Sequence, residues 1–546
     1  MNHTTMQRGA LALALALLGA AALAGCGPDA PGPQAPPPAA AGSAASAEQP
    51  SLQVFYRQKL SWTPCGDQQC ATLTVPMDYT QPANGKTFTL PVIKAVGTDP
   101  AKRIGSLVLN PGGPGQSGVR DLKSGTVEQF GTRMRSAFDI VEFDPRGVAG
   151  SKPALDCGSP DDAADQAGPG DDAPRPLYPK TDTERRAVLA DAEKTAAGCK
   201  AHSGDILPHV GTMDAARDMD VLRAALGDDK LSYLGWSYGT SLGATYAELF
   251  PHRVRAMVLD GADDPAKNWS ERALVEGKAF KRAVDGYADQ CATVVGSACP
   301  AATPEAIRQL ITDLYAKVAH RPMKIKGSSE RLDVTMLNTA ITMSMYTPES
   351  QWQPLSEGLS AARRGDGTKL AALAAPHSAD QADGSGASAP AARRPAARDH
   401  SSDGADDQAP DNSSAALLAV NCLDIPHPKD PQAYWDALAP ADQAAGPFGT
   451  SGVLAALGCK DWPAGPQQPH RVHAPGLPPV LVVGTTGDPA TAYENAQSLA
   501  SQLPGGMLLT FQAQGHTAYG RSNACVTDAV DAYLIDLKPV QAAATC

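Results

Sequence analysis

Positive charge is in short supply: 46 Lys and Arg stand against 58 Asp and Glu in 546 residues, a formal net charge of −12. A nucleic-acid-binding face needs the opposite balance, because phosphates are neutralised by clustered Lys and Arg. Nucleic acid is therefore not an expected partner. A zinc pattern is also missing, since Cys65 and Cys70 have no second close Cys or His pair downstream at ligand spacing. No metal and no other cofactor is predicted. No repeat of fixed period is visible, which argues against a solenoid or propeller. Long hydrophobic runs are scarce as well. The one uninterrupted run, residues 9–25, is built of Leu, Ala and Gly. It is shorter than the ~20 strongly apolar residues that cross a bilayer.

That run follows Arg8 and ends in Leu23-Ala24-Gly25-Cys26, the pattern of a signal-peptide apolar region before a processing site. The tetrapeptide resembles the bacterial lipobox, whose Cys is lipidated. The expectation is a signal peptide over 1–25 and export to the cell envelope, with a membrane anchor on Cys26 or a released, secreted form. Residues 26–50 are Pro, Ala, Gly and Ser with almost no large apolar side chain, too little to offset chain entropy by burial, and read as a disordered tether. Setting Cys26 aside leaves ten of the eleven cysteines, an even number suited to an oxidising compartment. They fall as sequence neighbours. Pairing in that order would staple five local loops, although spacing alone does not choose the connectivity.

The remaining chain alternates short apolar runs, at 106–109, 138–143, 231–234, 254–259, 480–483 and 507–511, with helical patterns such as 213–226 and 239–249. Continuous apolar strands separated by helices predict an α/β fold with a mostly parallel central sheet covered on both faces. Residues 267–462 look mainly helical, notably 273–288 and 304–318, and read as a cap inserted between two sheet strands. Within it, 374–414 is polar and without periodicity, as is the shorter 159–176, and both read as disordered loops. The expected layout is a core over 51–266 and 463–546 around a cap over 267–462.

The run at 231–234 leads straight into Gly235-Trp236-Ser237-Tyr238-Gly239 and then a helix. Gly-x-Ser-x-Gly between strand and helix is the signature of a nucleophile elbow, where a strained Ser needs glycine flanks. In the α/β-hydrolase fold the acid and the histidine follow in that order. Asp488 stands in Gly487-Asp488-Pro489 after the 480–483 strand, and His516 in Gly515-His516-Thr517 after the 507–511 strand. Ser237, Asp488 and His516 are thus the expected triad. Ser237 attacks, His516 moves the proton, and Asp488 orients the imidazole. The loop from Asn110 to Gly118 follows the 106–109 strand. It lacks the lysine of a phosphate loop, and its prolines remove donors. The N–H of Gly113 and the N–H of Tyr238, the residue after the nucleophile, are the expected oxyanion donors.

These pieces resemble the secreted bacterial tripeptidyl aminopeptidases, relatives of the proline iminopeptidases. The matching segments are Asn110-Pro111-Gly112-Gly113-Pro114-Gly115, Phe143-Asp144-Pro145-Arg146-Gly147, the elbow through Thr240, residues 484–491 and residues 515–520, with Cys525 and Cys546 near the end. Gln116 departs from the family, which has a small residue there, and the 374–414 tract enlarges the cap. The resemblance implies an exopeptidase that removes short peptides, often tripeptides, from substrates with free N-termini. An aminopeptidase needs a carboxylate for the substrate's α-ammonium group. Asp264 and Asp424 are the candidates. Asp144 and Arg146 are expected to pair as a clamp under the site, and Thr491 to hold the Asp488 carboxylate or cap the next helix. The triad also suits a carboxylesterase or lipase, and the fold alone would suit a non-catalytic binding lipoprotein. Nothing in the sequence bears on oligomeric state.

Overall fold

A computed structural model of the chain describes residues 50–158, 175–375, 411–463, 465–541 and 544–546. The signal peptide, Cys26, nearly all of the tether, and most of the two polar tracts lie outside the described residues.

Ten strands form one sheet: β1 (Thr63–Cys65), β2 (Gln68–Pro76), β3 (Thr87–Ala95), β4 (Gly105–Asn110), β5 (Phe138–Phe143), β6 (Leu231–Trp236), β7 (Val254–Asp260), β10 (Leu481–Gly487), β11 (Met507–Gln514) and β12 (Ala544–Thr545). Their order is β1-β2-β3-β5-β4-β6-β7-β10-β11-β12. From β5 to β12 all pairings are parallel, whereas β1, β2 and β3 join antiparallel at one end. Every residue of β4, β5 and β6 is buried, as a sheet covered on both faces requires. Successive side chains point to opposite faces. Val108, Tyr233 and Met257 therefore pack in one apolar cluster, and Leu107, Leu234 and Val258 in the other.

Helices cover both faces. Those that position the site are α1 (Gly118–Lys123), α2 (Thr212–Ala225), α3 (Tyr238–Leu249), α4 (Trp269–Val294), α5 (Ser413–Asp424) and α6 (Ala524–Asp536). Between β7 and β10 the described residues form helices joined by loops, with one two-stranded ribbon, β8 (Met323–Lys324) and β9 (Arg331–Leu332). This helical insertion has an apolar core of its own, in which Tyr287 meets Trp352 edge-on at 5.4 Å. Its first helix, α4, is started by a capping box, with Asn268 accepting from the Glu271 amide and Glu271 accepting from the Asn268 amide.

The ten described cysteines form five disulfides between sequence neighbours: Cys65–Cys70, Cys157–Cys199, Cys291–Cys299, Cys422–Cys459 and Cys525–Cys546. The last one ties the C-terminal strand β12 back to α6. Five disulfides fit an extracytoplasmic location, where thiols are not kept reduced.

Asp144 and Arg146 do not pair with each other. Asp144 accepts from Ser117 Oγ at 2.6 Å, the Val119 amide at 3.1 Å and the Gly150 amide at 3.0 Å, which holds the start of α1. Arg146 is fully buried and binds Asp218 through Nε at 2.7 Å and Nη2 at 2.6 Å, while carbonyls of Pro76, Met77 and His209 take its other donors. The planar guanidinium fork finds a bidentate partner on α2 that its near neighbour in sequence does not supply.

Candidate active site

Three strand ends meet at this site. β6 runs into Ser237, which adopts φ 54° and ψ −123° as it turns into α3. A positive φ on a non-glycine residue is strained and persists only where the surroundings enforce it. They do so through the glycines beside it. A Cβ on Gly235 would lie 2.4 Å from the Gly239 carbonyl oxygen, and one on Gly239 would lie 2.8 Å from the Asn110 carbonyl oxygen. The turn is also tied to the next strand, because the Ser237 amide donates to the Asp260 carbonyl at 2.9 Å.

After β10, Asp488 is buried and collects hydrogen bonds on both oxygens. Oδ1 accepts from the amides of Ala490 at 3.0 Å and Thr491 at 2.9 Å, and Oδ2 accepts from the Thr517 amide at 3.0 Å. His516, on the loop after β11, brings Nδ1 to 2.8 Å from Oδ1 and 3.0 Å from Oδ2. This pairing makes Nδ1 the donor and leaves Nε2 facing the site. Nε2 is buried with no hydrogen-bond partner among the described residues, so no bond joins it to Ser237 Oγ in this structure. In resting hydrolases that contact is often long and tightens with substrate. Burial works against a charged His516, yet the Asp488 carboxylate outweighs it and holds the ring's pKa above its usual value.

Of the two roles expected for Thr491, the structure shows the first, a hydrogen bond to the Asp488 carboxylate. Its amide, not its hydroxyl, binds Asp488, and the hydroxyl stands 3.4 Å from His516 Nδ1. The helix that follows is capped at Ala492. The hydroxyl therefore backs the imidazole.

The glycine loop after β4 lies directly against the elbow. A Cβ on Gly112 would be 2.6 Å from the Trp236 carbonyl oxygen, 2.9 Å from Ser237 Cβ and 3.3 Å from the Tyr238 amide nitrogen. Only a residue without a side chain lets the loop approach so closely. Tyr238 is the first residue of α3, so its N–H is among the amides that find no acceptor within the helix and lies at the positive end of its dipole. Gly113 follows at the mouth of the site, half-buried, and Gln116 is exposed beyond it.

Asp264 and Asp424 both sit near this edge, and both are engaged. Asp264 is ion-paired with Lys267 and accepts from Gln502 Nε2 at 2.8 Å. Asp424, at the end of α5, accepts from the amide and the hydroxyl of Thr212, and Thr212 Oγ1 also meets the Tyr238 hydroxyl. Burial lifts the Asp424 carboxyl to about 6 against the pull of those hydrogen bonds. Asp424 thus ties the insertion to the start of α2 and, through Thr212, to Tyr238, the residue after Ser237.

Two residues that carry no sequence motif prove central. Asp260, the last residue of β7, holds Ser237 through its carbonyl, while its carboxylate accepts from the amides of Ala518 and Tyr519, 2.7–3.1 Å away, just past His516. One residue therefore couples the nucleophile turn to the histidine loop. Tyr346, from the insertion, accepts from the His516 amide at 2.8 Å and meets its ring edge-on at 5.0 Å. It walls the imidazole on the side of the insertion.

A family model described as TAP-like protein matches residues 443–546. The serine protease Hip1 of Mycobacterium tuberculosis is 38% identical to the chain over 504 residues, covering 88% of this chain and 89% of Hip1. A tripeptidyl aminopeptidase of Streptomyces lividans is 33% identical over 496 residues, covering 88% and 85%. Carboxylesterase B of Mycobacterium tuberculosis is 36% identical over 477 residues, covering 86% and 84%.

Proposed function

The chain belongs to the TAP-like family of α/β-hydrolases and is a serine hydrolase, and from that premise we propose that it is an exported exopeptidase releasing short peptides, above all tripeptides, from free N-termini. Ser237, Asp488 and His516 are its triad. The observation that carries this reading is the Asp488–His516 pair at 2.8 Å beside a serine held in a strained elbow. Ser237 Oγ attacks the scissile carbonyl carbon as His516 Nε2 takes its proton. The oxyanion is held by the N–H groups of Tyr238 and Gly113, and His516 returns the proton to the departing amine. Water then cleaves the acyl-enzyme, and the short peptide leaves with a new carboxylate.

The insertion over 267–462 acts as the cap that closes the far side of the cleft and limits how much chain can extend beyond the scissile bond. Export and lipid attachment at Cys26 are part of the same proposal. They are supported by the residues before Cys26 and by the five disulfides. Intact-mass analysis of the mature protein decides the anchor, since a chain without a diacylglyceryl group would overturn it.

A carboxylesterase reading uses the same triad, and one relative bears that name. The two separate on substrate. Free tripeptide amides with a chromogenic leaving group should be cleaved much faster than their N-acetylated counterparts, with the tripeptide as product. Equal rates on free and blocked peptides, or turnover of acyl esters alone, would refute the exopeptidase reading.

A further inference from the structure

An enzyme that selects free N-termini must place an uncompensated negative charge where the α-ammonium group arrives. Both carboxylates expected for this task are already satisfied by the protein. Asp263, which follows β7, is satisfied too, accepting from Ser241 Oγ at 3.1 Å and from Arg272 Nη2 at 3.1 Å.

Helix α4 supplies the alternative. Residues four apart on a helix share a face, so Arg272, Glu276 and Phe280 form one stripe. Arg272, at one end, reaches Asp263 at the sheet edge. Phe280, at the other, packs against Tyr346 at 6.1 Å, and Tyr346 is the residue that meets the His516 ring edge-on. Glu276 lies between these two anchoring contacts, close enough to His516 for their charges to interact. Among the described residues it has no hydrogen bond or ion pair, and its side chain is exposed. From this placement we infer that Glu276 binds the α-ammonium group of the peptide substrate and is the residue that makes the enzyme an aminopeptidase. The inference rests on the exopeptidase reading of the preceding subsection.

The electrostatics agree with the geometry. The cleft walls beside Glu276 lift its carboxyl to about 7 although the side chain keeps access to solvent, with Asp263 adding to the shift and Arg272 and His516 opposing it. A carboxylate flanked in this way is only partly solvated and has no partner in the protein, and an arriving ammonium ion supplies one through a charge-assisted hydrogen bond. Acetylation removes the charge and two of the three donors and leaves the carboxylate unmatched. Tyr346 completes the wall of the same subsite, because its ring meets both Phe280 of the stripe and His516.

The test compares wild type with Glu276→Gln and Glu276→Lys on matched free, N-acetylated and N-succinylated tripeptide amides. Reaction of each variant with a neutral fluorophosphonate shows that the triad is assembled. Glu276→Gln should cut the preference for free over acetylated peptide by roughly ten- to hundredfold, chiefly through KM. Glu276→Lys should reverse the preference toward the succinylated peptide, whose terminus is negative. If wild type prefers free peptides and both variants keep that preference, Glu276 is not the anchor and the exopeptidase reading stands. If wild type shows no such preference, the exopeptidase reading falls and the assignment of Glu276 falls with it.

Discussion

Replacing Asp260 by Asn separates two consequences of one buried charge. Asp260 is fully buried, and burial pushes its carboxyl from 3.8 up to about 6, against the Ala518 and Tyr519 amides that favour its ionised form. A shift of about two units corresponds to about 3 kcal/mol. Because the folded pKa is the higher one, the unfolded chain gives up its proton first. The stabilisation of the protonated form is fully present below about pH 4 and is lost as pH rises through about 6. Asn has nearly the same shape, and its single oxygen can take the position of Oδ2, which accepts from both amides. The variant should therefore gain on wild type by up to about 3 kcal/mol between pH 4 and pH 7, read from denaturant unfolding across that range without reductant. The same charge helps hold the pKa of His516 up. Its removal should move the acid limb of the kcat/KM profile to lower pH, since His516 must be neutral to accept the serine proton. A stability difference independent of pH, together with an unmoved acid limb, would refute the reasoning.

Asp218→Asn takes the bidentate carboxylate from the buried Arg146 guanidinium, leaving Asp214 at 3.6 Å as its remaining counter-charge, and should cost about 3–5 kcal/mol in denaturant unfolding; a loss below about 1 kcal/mol would mean that Asp214 and the carbonyls around Arg146 suffice. Asp424→Ala removes the acceptor of Thr212 and should cost about 1–3 kcal/mol of stability while the ratio of free to acetylated peptide turnover stays at the wild-type value. Collapse of that ratio would move the ammonium site from Glu276 to Asp424.

The residues that were legible beforehand are those whose local sequence is enough to define their setting. Phe138–Phe143 and Val254–Asp260 are apolar runs bounded by turn residues, and a strand buried on both faces needs nothing else to be recognised. The elbow was visible for a similar reason, because glycine flanks are a local steric demand. β2 and β3 were not anticipated. As sheet-end strands with a half-exposed face they alternate, and Gln, Thr and Lys interrupt the apolar pattern. The partner of Arg146 was not legible, since nothing near it in sequence points to Asp218 on a helix some seventy residues away. Glu276 and Tyr346 carry no motif at all. Their role follows from how α4 and the insertion pack over the triad, which is a tertiary fact. Asp260 gave only the signal of a polar residue closing an apolar strand next to Gly261, a pattern shared with ordinary turns.

The account stands or falls on which serine reacts. Wild-type protein treated with a fluorophosphonate should gain one adduct, mapped by peptide mass spectrometry to the segment carrying Ser237, and should lose peptide hydrolysis in proportion. Ser237→Ala should take up none. An adduct on any other residue, or hydrolysis that survives full modification of Ser237, would contradict it.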